Sequence, residues 1–339
     1  MSVTLENPKE KQSVKKDTRQ NIVKLIRKWG ETNTDGLLDP SCQFYSTPAI
    51  EGIIGYRIES NNAVVFGDPL CAPENMGGLA LAFQKHCEEQ KLGVVYTIVS
   101  EEFANWGHQH LSGALVEFGE KFVLNPQDNP MDHTGSKAVL VRKKVKHALK
   151  DGATVHEYLG DDPKVRKEIE QVAQGWLKGR QGPQIYLSHV HLFDDQYGKR
   201  WFYALQNGHV VGFLVINQIQ AHQGWLLNHV MWSKEAAHGT SELLVISVLE
   251  ALQKEGSKLV LIGPVPAKQL GKISGLNPVI STLVRGLYKA ARILFHLKGH
   301  ETFWEKFQPT VKRSYLMFPK GNLTFSSISA LFRAFNVGS

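Results

Sequence analysis

Residues able to do chemistry gather at a few places in this chain. The loop Ala236-Ala237-His238-Gly239-Thr240 lies between an apolar run that ends at Trp232 and a helical segment that begins at Ser241. A loop that opens a helix turns free backbone N–H groups and the positive end of the helix dipole toward whatever sits above it, which suits an anion or a developing oxyanion. The same arrangement also occurs as an ordinary α/β packing turn. A second place is Ser136–Asp151, where Lys137, Arg142, Lys143, Lys144, Lys146 and Lys150 meet one acid, Asp151. Charge runs are commonly solvated helix faces, but this one is not neutralised locally and suits a phosphate backbone. Two His-x-His pairs, His108/His110 and His189/His191, would each lie on one face of a strand. Neither has a third ligand at motif spacing, so no metal is expected.

The elements that must hold these residues can be read from periodicity. Trp225–Trp232 is an extended apolar run, Ser241–Glu255 a helix stopped by Gly256, and Leu259–Ile262 a strand running into Gly263-Pro264. The first half has the same order. Thr47–Glu59 and Ala63–Phe66 read as strands about Asn61-Asn62, Leu79–Gln90 as a helix, and Val94–Val99 as a strand. In the second half Arg200–Leu205 and Val210–Ile219 flank Asn207-Gly208, a strong hairpin signal. The fold class expected is α/β with mixed sheets, built as two tandem copies of one domain. The boundaries read as a tail at 1–18, a first domain at 19–135, a basic linking helix at 136–151, a second domain at 152–320 and a tail or amphipathic helix at 321–339. Helical spacing marks Arg19–Trp29. In the linking helix Val139, Val141, Val145, Ala148 and Leu149 form the apolar stripe. Pro278–Leu297 is a basic amphipathic helix carrying Arg285, Lys289 and Arg292, suited to docking on the core or to lying on a membrane surface.

The chain has 339 residues, 42% hydrophobic and 21% charged, with a formal charge of +7. That balance describes a globular protein with a sizeable core and favours an acidic partner such as nucleic acid or an anionic membrane surface. Three widely spaced cysteines argue against a disulfide framework. No run is long and apolar enough for a membrane span, and residues 1–17 are too charged for a secretory signal.

Several phrases in a fixed order carry a resemblance. They are Ile53-Ile54-Gly55-Tyr56, Val65-Phe66-Gly67-Asp68-Pro69, Phe118-Gly119-Glu120, Arg142, Trp176-Leu177, Gly212-Phe213-Leu214, the loop 236–242, Gly263-Pro264, and Glu305-Lys306-Phe307-Gln308-Pro309 followed by Tyr315-Leu316 and Pro319. Over about residues 40–320 the set resembles the C-terminal catalytic domain of phosphatidylglycerol lysyltransferases and alanyl-phosphatidylglycerol synthases. The resemblance implies two tandem acetyltransferase-like (GNAT) folds. It implies an acyltransferase that moves an aminoacyl group from aminoacyl-tRNA to a lipid hydroxyl, of phosphatidylglycerol or another membrane lipid, with no cofactor beyond that co-substrate. It also implies a cytoplasmic site of action, peripheral on the inner face of the membrane. One departure stands out. The bacterial enzymes carry an Asp and, three residues on, an Arg ahead of the glycine loop, and the matching positions here are Asn228 and Met231.

For such a transfer the donor is already an activated ester, so the protein must position a hydroxyl, remove a proton and stabilise an oxyanion. Backbone N–H groups at Gly239, Thr240 and Ser241 are candidates for the last task. His229, Glu242 and His238 are candidates for proton removal, and Asn228 is a candidate orienting hydrogen bonder. Strand alternation would send His229 to the face opposite Asn228. Arg142, Lys143, Lys146 and Arg180 are candidates for tRNA phosphates, and Arg285, Lys289 and Arg292 for lipid or membrane contact. Two other readings compete: an acyl-CoA-dependent N-acyltransferase, weakened because 236–241 lacks the leading basic or amide residue and the second glycine of a pyrophosphate loop, and a non-catalytic tRNA- or membrane-binding module.

Overall fold

At Asn61, and again at Asn207-Gly208, the backbone enters the left-handed region that asparagine and glycine tolerate, and each turn folds two apolar runs into a hairpin. A computed structural model describes residues 8–32, 35–179, 190, 192–294, 298–321 and 323–335, with side chains for all of these except 8–17, 291–294 and 298–301. Arg180, His189 and His191 lie outside the described residues.

The first half comprises helix α1 (Pro8–Trp29), strands β1 (Gln43–Thr47), β2 (Ile50–Glu59), β3 (Asn62–Phe66) and β4 (Leu70–Cys71), helix α2 (Met76–Glu89), strand β5 (Gly93–Val99), helix α3 (Glu101–His110) and strand β6 (Ala114–Leu124). Helix α4 (Gly135–Lys150), strand β7 (Thr154–Tyr158) and helix α5 (Pro163–Lys178) follow. The chain continues with β8 (Lys199–Gln206), β9 (His209–Ile219), β10 (Gly224–Trp232), α6 (Thr240–Lys254), β11 (Val260–Pro266), β12 (Ile273–Ser274), α7 (Pro278–Leu294), α8 (Lys298–Glu305), β13 (Thr310–Phe318) and α9 (Phe325–Ala334).

Each half contains the same unit. Antiparallel β1-β2-β3 leads through α2 to β5, which runs parallel to β3. Antiparallel β8-β9-β10 leads through α6 to β11, which runs parallel to β10. The fold is thus the tandem acetyltransferase-like α/β arrangement, with strands side by side in the order β1-β2-β3-β5-β13-β6-β11-β10-β9-β8-β7. The halves exchange their last strands: β6 pairs with β11 of the second half, and β13 pairs with β5 of the first. The two exchanged strands also pair with each other.

Some elements differ from the periodicity reading. Helix α1 begins at Pro8 rather than Arg19. His108 and His110 lie on α3, not on a strand, so a spacing of two does not bring them to one face. Each uses its Nδ1 locally, against the Gly113 and Trp106 carbonyls. On α4 the buried stripe is Ala138, Val141, Val145 and Ala148, whereas Val139 and Leu149 are exposed among the lysines. The three cysteines are free, and burial pushes the Cys71 thiol up to about 11 and the Cys87 thiol up to about 12, which rules both out as ready nucleophiles.

Candidate functional site

The parallel strands β10 and β11 pair only from Trp225 to Leu227 against Val260 to Ile262. Beyond that point β10 stays with β9 and β11 with β6, so the two strands diverge. Asn228 and His229 stand where they part.

A β-bulge sits at the same place. Leu227 pairs with Ile216 and His229 with Val215, which leaves Asn228 as the extra residue. Leu227 and Val230 both pack into the core beneath α6 although they are three residues apart. The two residues between them therefore both turn to the opposite face of the sheet, where Met231 joins the core under α5. The alternation argument that separated His229 from Asn228 fails because of this single inserted residue.

On that face the chain assembles a centre from distant segments. Asn228 Nδ2 donates to Asp35 Oδ2 at 2.7 Å. Lys199 Nζ stands 3.1 Å from the same oxygen, and Arg27 Nη2 donates to Asp35 Oδ1 at 2.9 Å. Arg27 is fully buried on α1 and its Nε donates to the Tyr197 carbonyl at 3.0 Å. The Lys199 side chain is 3% exposed and the Asp35 side chain 15%. Burial alone would raise the Asp35 carboxyl, but the charges of Lys199 and Arg27 outweigh it and hold the group well below the usual carboxylate range. His229 has its pKa pushed down to about 4, chiefly by burial, against the pull of Asp35. Its imidazole is neutral at pH 7 and has no hydrogen-bond partner among the described residues, so it is available as an acceptor. A carboxylate and two cations thus stand beside Asn228, although the strand itself carries neither at 228 and 231. Asp35, Arg27 and Lys199 escaped sequence reasoning because no spacing links them to β10; they reach it through α1 and β8.

The glycine loop is placed differently from its anion-binding reading. Gly239 has φ +103°, and a Cβ there would collide with the Lys144 carbonyl, so glycine is required for α6 to pass close to α4. The Thr240 N–H and hydroxyl both donate to the Ala237 carbonyl, at 3.0 and 2.7 Å. His238 Nε2 lies against Lys144 Nζ. The start of α6 thus packs closely on α4 at Gly239, and the Thr240 N–H is taken up within the loop.

Glu242 is buried and paired with Lys306, whose Nζ donates to Oε1 at 2.5 Å, while Ser241 Oγ donates to Oε2 at 2.8 Å. Burial pushes the carboxyl up, but Lys306 outweighs it and the pKa is lowered; with Lys306 on one oxygen and Ser241 on the other, both oxygens are already engaged. Replacing Glu242 by alanine strands a mostly buried lysine and is expected to cost about 3–5 kcal/mol, measured by urea unfolding.

Among the tRNA candidates, Arg142 Nη1 donates to the Met131 and His133 carbonyls, pinning that turn, while Lys143 and Lys146 are exposed. On α7, Arg285 is exposed and donates to the Leu270 and Gly271 carbonyls at 2.6 and 2.8 Å. Lys289 is exposed, and the side chain of Arg292 is outside the described residues. Among the described residues no group of three or more His, Cys, Asp or Glu could hold a metal ion, and no helix is long and apolar enough to cross a membrane.

Residues 32–318 match the model of the phosphatidylglycerol lysyltransferase C-terminal family. The chain belongs to that family. A phosphatidylglycerol lysyltransferase of Staphylococcus epidermidis is 20% identical over 327 residues, covering 91% of this chain and 36% of the relative. The chain thus spans about a third of the length of the curated relatives it matches. Among solved structures, L-PGS from Bacillus licheniformis is similar with a TM-score of 0.74 at 17% identity, covering 93% of this chain and 96% of that one. A C-terminal domain from Agrobacterium fabrum, assigned to a lysylphosphatidylglycerol synthetase, gives 0.73 at 16% identity with 94% and 96% coverage. At these identities the structural likeness speaks for the fold. Asp35, Lys199, Asn228 and His229 lie inside the matched residues, whereas Arg27 on α1 lies ahead of them.

Proposed function

We propose that the protein is an aminoacyl-tRNA-dependent transferase that moves an aminoacyl group onto a hydroxyl of a membrane lipid, phosphatidylglycerol or another. The observation that carries this reading is the family match across residues 32–318, which encloses the Asp35–Asn228–His229 centre. The donor ester needs no enzyme-bound intermediate. His229, neutral and without a hydrogen-bond partner among the described residues, accepts the proton of the lipid hydroxyl as its oxygen attacks the ester carbonyl. The tetrahedral intermediate then collapses, the bond to the ribose oxygen of tRNA breaks, and the proton passes to that oxygen. Asp35 stabilises the transient imidazolium, as its electrostatic pull on His229 requires. Asn228 fixes the carboxylate's orientation. Thr240 and Glu242, both engaged elsewhere, have no part in these steps, and Gly239 contributes the close passage of α6 over α4.

Lys143 and Lys146 on the exposed side of α4 are the phosphate contacts in this reading, with Arg142 holding the helix to its neighbouring turn. Membrane contact is made by the apolar side of α7. Val279, Leu283 and Leu287 are 80%, 63% and 49% exposed and lie four residues apart, while Val284 and Tyr288 hold the helix to the protein. Such a face sits at the headgroup boundary of a bilayer, and Lys289 adds attraction to anionic lipid. The double variant Leu283→Glu/Leu287→Glu is expected to lower binding to phosphatidylglycerol-containing vesicles at least tenfold in a sedimentation assay. A peripheral place on the inner face of the membrane follows from this reading.

The test of the function is incubation with a mixture of radiolabelled aminoacyl-tRNAs and a lipid extract. Label entering the organic phase, and failing to do so after RNase treatment, is the expected result. Salt-sensitive tRNA binding without transfer would replace the proposal with a non-catalytic binding module.

A further inference from the structure

The centre around Asp35 is not electrically balanced. Among the described residues two buried cations, Arg27 and Lys199, share the one carboxylate of Asp35, and the neighbouring His229 is neutral, so the cluster carries a net positive charge. The segments 33–34 and 180–191 contain no Asp or Glu that could balance it. Uncompensated charge in a buried setting is costly, and proteins that keep one commonly present it to a ligand.

A second observation points the same way. Asn217 is 0% exposed, and neither its Nδ2 nor its Oδ1 has a hydrogen-bond partner among the described residues. Arg27 Nη1 is likewise buried and without a partner among the described residues. Asn217 is the direct cross-strand partner of Lys199, so the two share a face of the sheet. The packing agrees: Phe213 and Val215 face the core under α5, and alternation carries Asn217 to that same side, the side of Asn228. Lys199 links the two orphans, since it pairs across the strands with Asn217 and shares Asp35 with Arg27. Buried polar groups left unsatisfied in this way call for a missing partner.

We propose that Arg27, Lys199 and Asn217 form an oxyanion pocket, which takes a carboxylate or phosphate oxygen of a substrate on Arg27 Nη1 and Asn217 Nδ2 and rejects a cationic aminoacyl side chain. Asp35 is already shared by Arg27, Lys199 and Asn228, so it has little left to offer a lysyl ammonium. The oxygen comes from one of two sources, the side chain of an acidic aminoacyl group or the phosphodiester of a lipid headgroup. The inference rests on the transferase reading for the identity of those sources, but its test reads binding alone.

Isothermal titration of the full chain at pH 7 with aspartic acid α-amide, glycerophosphoglycerol and lysinamide separates the cases. One of the two anions is expected to bind at least tenfold more tightly than lysinamide, and which one does so identifies the source. Tighter binding of lysinamide, or no measurable binding of either anion at millimolar concentration, would overturn the pocket. Asn217→Leu removes the orphaned amide at similar volume. It is expected to leave the melting temperature unchanged or raised while lowering anion affinity about tenfold; unchanged affinity would make Asn217 structural and sink the proposal. Lys199→Met is expected to abolish the preference for anions. Because these readouts do not depend on turnover, a protein that transfers no label still answers the question.

Discussion

Replacing Asp35 by alanine is expected to remove about 3–5 kcal/mol of stability and to abolish transfer. The carboxylate is the shared partner of Arg27, which is fully buried, of Lys199, 3% exposed, and of Asn228. Removing it leaves two like charges buried without their counterion, and the cost is a large share of the roughly 5–15 kcal/mol that holds an ordinary domain together. The effect is global because the centre ties α1 to β8 and β10, segments far apart in the chain. The pH dependence has a definite sign. Asp35 titrates lower in the fold than in the unfolded chain, so its stabilisation is complete above the usual carboxylate range, near pH 4, and is lost as pH falls below that. Urea unfolding of the wild type between pH 3 and 7 would show this acid limb, and Asp35→Ala would flatten it. A variant as stable as the wild type at pH 7 would contradict the assignment of Asp35 as the counterion. Asp35→Asn separates shape from charge: it keeps an acceptor for Arg27 and still loses most of the stabilisation.

Changing His229 to glutamine is expected to lower kcat for transfer by about 10²–10⁴-fold, the usual contribution of one positioned general base. The pH profile carries the sharper test. With its pKa pushed down to about 4, His229 is already deprotonated across the physiological range, so the wild-type rate is expected to stay level from pH 6 to 8 as far as this group is concerned. A rate that climbs through pH 6.5 would mean that another group accepts the proton. Stability responds in a different window from that of Asp35. As pH falls below about 6.5 the unfolded chain takes up a proton that the folded imidazole refuses, so the fold loses stability until about pH 4, by on the order of 3 kcal/mol in all. His229→Gln removes that loss, leaving a variant that resists mild acid better than the wild type. The opposite movement of activity and acid resistance is difficult to produce by a general packing defect.

The lysines of α4 and the amphipathic character of α7 are legible in the sequence, but the orientation of the two helices is not. Periodicity placed Val139 and Leu149 in a buried stripe, whereas α4 docks through Ala138, Val141, Val145 and Ala148. Both stripes fit the spacing; the choice depends on how close α6 approaches, which Gly239 allows. On α7 composition offers Arg285 for an outside partner, yet Arg285 donates to two carbonyls of the chain, and Val279, Leu283 and Leu287 are exposed.

What the sequence determined by itself is the local material: two hairpins with asparagine turns, two strand–helix–strand crossovers ended by glycines, their order, and so the tandem α/β fold. Hydrophobic period and turn chemistry act over a few residues and are visible without coordinates. It also located Asn228 and His229 correctly on their strand. Only the tertiary structure decided that the two share a face, because one bulged residue resets the alternation. Only it brought Asp35 to them across 193 positions of sequence separation. The exchange of β6 and β13 between halves is of the same kind. Strand pairing and buried charge pairing are satisfied by proximity in space, and no local pattern in a chain records which distant residue will supply the partner.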